Sequence, residues 1–150
     1  MALTLRLAIA LLAGTGLAWG FNVTTCDTTI PPGVVGELRG IDITAYGNGG
    51  PGLAVERLRA ENVVTNDNGA SGIFGAAARI TGLTANNNGD AGVRVIRAVL
   101  RDATLAGNDG HGFGIDVLTK RPPQLVDTTC GKSGIIGGLA TANWAVCTND

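Results

Sequence analysis

Residues 37–116 repeat every 20 positions without a gap. Written as rows they read ELRGIDITAYGNGGPGLAVE, RLRAENVVTNDNGASGIFGA, AARITGLTANNNGDAGVRVI and RAVLRDATLAGNDGHGFGID. Asn48, Asn68, Asn88 and Asn108 share one column, and Gly52, Gly72, Gly92 and Gly112 another. Each of those glycines precedes a large apolar residue: Leu53, Ile73, Val93 or Phe113. A fixed short period of this kind implies a solenoid, in which each repeat buries its apolar side against its neighbours.

The composition of the row decides which solenoid. Twenty residues are too few for two helices, a helical Gly costs about 1 kcal/mol relative to Ala, and Asn prefers turns. Apolar residues alternate in short bursts, as in Leu53-Ala54-Val55 and Val93-Arg94-Val95, which is strand spacing. Each row is therefore expected to give two or three short strands joined by turns. Successive rows then stack in parallel at roughly 4.7–4.9 Å per coil.

Side-chain volume supports this lattice. The second and fourth residues of the rows are Leu38 with Gly40, Leu58 with Ala60, Ala78 with Ile80, and Ala98 with Leu100. The seventh and ninth include Ile43 with Ala45, Leu83 with Ala85, and then the reverse, Ala103 with Leu105. One partner is large where the other is small, as a filled interior requires. The Asn column is expected to form a continuous ladder, because a carboxamide can donate to one neighbouring copy and accept from the other. Asn also tolerates the left-handed backbone that a sharp corner demands.

These features resemble the right-handed parallel β-helix family, which includes pectate lyases and secreted repeat proteins. The resemblance lies in the N-x-x-x-G-(L/I/V/F) core of each row and the Asn corner, and covers roughly residues 37–137. It implies an all-β, right-handed parallel β-helix of about five to six short coils. Because this superfold hosts many activities, it assigns no function alone.

At 150 residues one domain is expected, with the β-helix over 21–137 and a C-terminal cap segment over 138–150. A chain that is 45% apolar with 24 glycines is turn-rich rather than disordered, and its net charge of −1 excludes a generally basic nucleic-acid binder. Residues 1–20 carry one charge, Arg6, followed by an apolar run and small residues. They read as a secretory signal, with a helix capping the first coil as the alternative. Gly14, Thr15 and Gly16 interrupt the run and argue against a stable membrane span. Residues 21–36 read as an imperfect opening coil whose prolines suit an edge strand. Residues 119–123 read as an insertion forming a protruding loop, with the pattern resuming at Gly134-Ile135. Trp144 is the expected plug over the last coil.

Cys26 and Cys130 fall about five coil steps apart, on the order of 24 Å, whereas a disulfide needs Cα atoms within about 7 Å. Cys130 with Cys147 is the pair expected, consistent with an oxidising, secreted, periplasmic or cell-surface location. Cys26 is left either as a small buried apolar side chain or as a site of intermolecular pairing. The spacing is not that of a zinc site.

The resemblance points to catalytic carboxylates or calcium ligands on the outer face of the strand after the Gly column. In this chain that face reads Ala54, Glu56, Phe74, Ala76, Arg94, Ile96, Gly114 and Asp116. Glu56 and Asp116 fall three coils apart, roughly 14 Å, against the about 5–9.5 Å that glycoside hydrolysis uses. No cluster of oxygens suggests calcium, and no cofactor is expected. Asp90, Asp109 and His111, with Asp67 one row back, are weak catalytic candidates at the Asn corner, where turn residues are equally ordinary. Arg39, Arg59 and Arg79 occupy one column, with Arg57, Arg97 and Arg101 on or near the same side. Stacked guanidinium forks suit an extended anionic chain, and without aromatic platforms nucleic acid is the poorer partner. The expectation is a non-catalytic extracellular module contacting acidic polysaccharide through these arginines. The alternatives are a minimal polysaccharide lyase or glycoside hydrolase, or a self-stacking filament or surface protein associating through coil ends or Cys26.

Overall fold

The computed structural model describes residues 36–110, 112–139 and 142–150. Residues 1–20, most of the opening coil, Cys26 and His111 lie outside the described residues. The described chain is all-β: β1 (Glu37–Tyr46), β2 (Leu53–Asn66), β3 (Ile73–Asn86), β4 (Val93–Ala106), β5 (Val117–Thr119), β6 (Gln124–Cys130) and β7 (Ser133–Ile135). Every pairing is parallel, and the strands wind into a β-solenoid of about five turns.

Through β1–β4 each residue pairs with the one 20 positions on, so Leu38, Leu58, Ala78 and Ala98 stack in one column. Pairing lapses at Glu56 and Ala76 and again at Asn62 and Gly82, which divides each long strand into three short segments. One bend has a visible cause. Asp42, Asn62, Gly82, Asp102 and Asp127 all adopt left-handed backbone, with φ between 48° and 72°, a conformation open to Gly and tolerated by Asn and Asp.

Large and small side chains compensate one another in the coil interior. Leu58, Ala60, Ala78, Ile80, Ala98 and Leu100 are buried, as are Ile43, Ala45, Leu83, Ala85, Ala103 and Leu105. Gly40 leaves room for Ile43, whose Cδ1 would lie 2.8 Å from a Cβ placed on it.

The buried ladder is continuous. Nδ2 of Asn48, Asn68 and Asn88 donates to Oδ1 of the next asparagine at 2.9, 2.9 and 2.8 Å. The backbone N–H of each donates to the same oxygen. Left-handed backbone falls one residue earlier than expected, at Gly47, Asp67, Asn87 and Gly107. The preceding residue turns the corner, so that the ladder asparagine can direct both its N–H groups at the next coil. Gly52, Gly72 and Gly92 serve close approach: a Cβ on any of them would sit 2.7–2.9 Å from the next coil's ladder Nδ2.

The fourth row departs from the period. Val93 pairs with Val117 rather than Phe113. Gly112 lies in a loop at φ 80°, and Phe113 is 49% exposed. Asp116 takes the place in the Gly column: its carbonyl accepts from Val93 N, as Gly72 and Gly92 accept from Leu53 and Ile73. The expected insertion at 119–123 is also smaller than read. Four extra residues enter before β5 and only one more before β6, where Val99 meets Gln124.

The C-terminal tail lies on the last coil. Cys130 and Cys147 form a disulfide, Thr148 and Asn149 donate their N–H groups to Cys130 O and Gly131 O, and Trp144 N donates to Ser133 Oγ. Among the described residues no helix is long and apolar enough to cross a membrane.

Candidate functional site

One flat side of the solenoid is built by the middle segment of each coil. Leu58 and Ala60 point inward, so their neighbours Arg57, Arg59 and Glu61 point out, and the pattern repeats up the stack. The parallel register therefore sets Glu37, Arg57, Ala77 and Arg97 in one outer column. Arg39, Arg59, Arg79, Val99 and Gln124 form the next. Ile41, Glu61, Thr81, Arg101 and Val126 form the third. Six of the chain's 11 cationic side chains share this face with two carboxylates, although the chain as a whole carries −1.

The six are not equivalent. Glu37 Oε1 lies 2.8 Å from Arg39 Nε and 3.1 Å from Arg59 Nε. The hydrogen bond from Arg39 outweighs the opposing effect of burial, and with the charges of Arg39, Arg59 and Arg57 it lowers the Glu37 pKa below the ordinary range. A groove of about 380 Å³ runs across Arg39, Arg59 and Arg79, with Glu61 and Thr81 on its flank. Stacked arginines repel by a little under 1 kcal/mol per pair at ~5 Å in water. Placing Glu37 among the first three arginines relieves that repulsion at one end of the stack.

The other candidates stand elsewhere. Asp90 is buried and accepts from Ser71 Oγ at 2.7 Å and from Arg94 Nη1 at 2.8 Å; Arg94 also lies 5.9 Å from the Phe74 ring centroid. Asp109 is exposed on the loop before β5, where its carbonyl accepts from Gly114 N, and His111 lies outside the described residues. The structure thus brings Asp90 to Ser71 and Arg94 in a largely buried polar network. Asp116 is not on the outer strand face. It is 2% exposed and closes the Asn ladder, accepting Asn108 Nδ2 at 2.7 Å on Oδ1 and Gly131 N at 2.6 Å on Oδ2. Leu118 takes the outer-column place expected for Gly114, next to Arg94. Among the described residues no group of three or more His, Cys, Asp or Glu side chains is placed to hold a metal ion.

Two features of this surface escape the row reading: the left-handed Asx/Gly column from Asp42 to Asp127, and the tight Gly69 and Gly89 column beside the ladder. Both had a signal in the period itself, since a short Asx or Gly recurs at each of those row positions. Comparison with protein-family models, with curated proteins and with solved structures returns no match to this chain.

Proposed function

We propose that this chain is a non-catalytic β-solenoid binding module that holds acidic polysaccharide along its arginine-bearing sheet. The observation that carries the reading is the in-register outer column Arg39–Arg59–Arg79, flanked on the same flat face by Arg57, Arg97 and Arg101. A guanidinium is a planar fork matched to carboxylate and sulfate oxygens, remains charged at all working pH values, and is weakly hydrated. Forks repeated at roughly 4.8 Å intervals on a rigid sheet offer an extended polyanion many weak contacts in one orientation. The sequence resembles a β-helix family that includes pectate lyases, which act on an acidic glycan, and this agrees with the ligand class. The disulfide is compatible with an extracellular setting.

Retention on immobilised polygalacturonate at low salt tests the reading, together with the length of the polymer after incubation. Wild type should be retained and the polymer left intact, whereas the Arg39→Gln/Arg59→Gln/Arg79→Gln variant should elute at markedly lower salt. Equal retention of the two proteins removes the Arg39–Arg59–Arg79 column as the binding surface. Shortening of the polymer by wild-type protein would instead establish a lyase or hydrolase.

A further inference from the structure

We infer that the basic face contains one discrete oxyanion site, centred over Val99 in the third to fifth coils, and that it takes the sulfate half-ester of a sulfated polysaccharide. This inference rests on the reading of the face as a polyanion-binding surface and locates the anchoring contact within it.

Val99 is the one residue of the arginine column from Arg39 to Val99 that is not an arginine, and it is ringed by long polar side chains. Across the sheet its neighbours are Arg79 on one side and Gln124 on the other. Along its own strand Arg97 and Arg101 lie two residues away in each direction and point outward with it. Arg79, Arg97, Arg101 and Gln124 are all exposed. By strand geometry Arg79 and Gln124 start roughly 4.8 Å, and Arg97 and Arg101 roughly 6.6 Å, from the Val99 position. An extended arginine reaches about 6 Å beyond its Cβ by standard bond lengths. Three guanidinium groups and one carboxamide can therefore meet above Val99, whose short apolar side chain leaves the space open.

The distribution of carboxylates singles out this end of the face. Glu37 binds Arg39 and Arg59 directly, and its charge also acts on Arg57. Among the described residues Arg79, Arg97 and Arg101 form no ion pair within 4.0 Å. The first two coils therefore present arginines already paired with Glu37, while the third and fourth present arginines with unspent donors. Ligand type follows from the directions of approach. A carboxylate offers two oxygens in one plane, which one or two forks saturate. A sulfate half-ester offers three free oxygens in a pyramid, one for each guanidinium, with the ester oxygen directed away toward the sugar.

Dextran sulfate and carboxymethyl-dextran of matched charge density serve as probes, with affinity measured by calorimetry at neutral pH. Wild type should bind the sulfated polymer at least about tenfold more tightly. Arg79→Gln/Arg97→Gln/Arg101→Gln should lose about tenfold or more on dextran sulfate, against less than about threefold for Arg39→Gln/Arg59→Gln. The Arg79→Lys/Arg97→Lys/Arg101→Lys variant, which keeps charge but not forks, should fall between wild type and the Gln variant. All substitutions are at exposed positions, and an unchanged melting temperature verifies the fold. Equal losses from the two Gln variants, or full affinity in the Lys variant, would overturn the Val99 site while leaving the basic-face reading intact. Preference for the carboxylated polymer would overturn the sulfate assignment alone. Binding of neither polymer by wild type would overturn both readings.

Discussion

Thr65 shows how closely a single side chain is judged inside a coil. It occupies the interior column shared by Ala45, Ala85, Leu105 and Cys130, is fully buried, and its Oγ1 has no hydrogen-bond partner. A buried hydroxyl without a partner forfeits its hydration for nothing, a cost of about 1–3 kcal/mol. Its carbonyl is useful, accepting from Asn88 Nδ2 at 2.8 Å, but that group is independent of the side chain. Thr65→Val keeps the shape and removes the orphan, so it should stabilise the fold by about 1 kcal/mol and raise the melting temperature by a few degrees. A lower melting temperature would mean that the hydroxyl is satisfied after all. The ladder residues obey the opposite rule. Asn68 and Asn88 each use both amide hydrogens and the carbonyl oxygen, which is why only a carboxamide repeats there.

At the scale of elements, the ladder has polarity and its two ends need different chemistry. Every Nδ2 points toward the C-terminal coil and every Oδ1 toward the N-terminal one. The last donor, on Asn108, must therefore meet a pure acceptor, and Asp116 supplies it. Asp116→Ala would leave one Asn108 Nδ2 hydrogen and the Gly131 N–H without acceptors, the other Asn108 hydrogen still reaching Ala85 O, and should cost on the order of 3 kcal/mol in chemical denaturation. Asp116→Asn keeps Oδ1 but turns an NH₂ toward Gly131 N–H, and should cost about half as much. Loss of less than about 1 kcal/mol in both would show that water can replace the cap. This ending also explains what the row pattern hid. Strands β1–β4 were legible because the 20-residue spacing is unbroken and volumes compensate across each coil. Gly112-Phe113 copies the motif but is displaced, since the ladder terminator sits in the Gly column and Val117 follows it into the core. A period carries no information about where a cap interrupts it. The arginine column was legible for the same reason as the strands. The pairing of Glu37 with Arg39 and Arg59 was not, because it depends on which way long side chains lean across a sheet.

For the whole molecule, stability is close to a sum of coil-to-coil interfaces, so the ends decide where unfolding begins. The C-terminal end is closed by residues 142–150, tied by the disulfide across a separation of 17 residues, worth about 3 kcal/mol in the chain-entropy account. Asp150 fastens the same tail: Oδ2 accepts Ser133 Oγ at 2.6 Å, Val146 N at 2.7 Å and Cys147 N at 2.8 Å. Burial alone would raise its carboxyl pKa, but the Ser133 hydroxyl and the N–H groups of Cys147, Ser133 and Val146 together bring it below the ordinary value. A pKa depressed in the folded state means that the unfolded chain takes up the proton more readily as pH falls. The contribution is fully present above the unfolded value of about 3.9 and is lost as pH drops through the folded value. Melting temperature followed from pH 7 to pH 2 should therefore fall more steeply for wild type than for Asp150→Asn, the two curves converging in acid. The other carboxylates titrate alike in both proteins, so the difference between the curves belongs to this cap. Parallel curves across the whole range would show that the Asp150 carboxylate does not hold the tail, leaving the disulfide and the N–H groups of Trp144, Thr148 and Asn149 to close the solenoid.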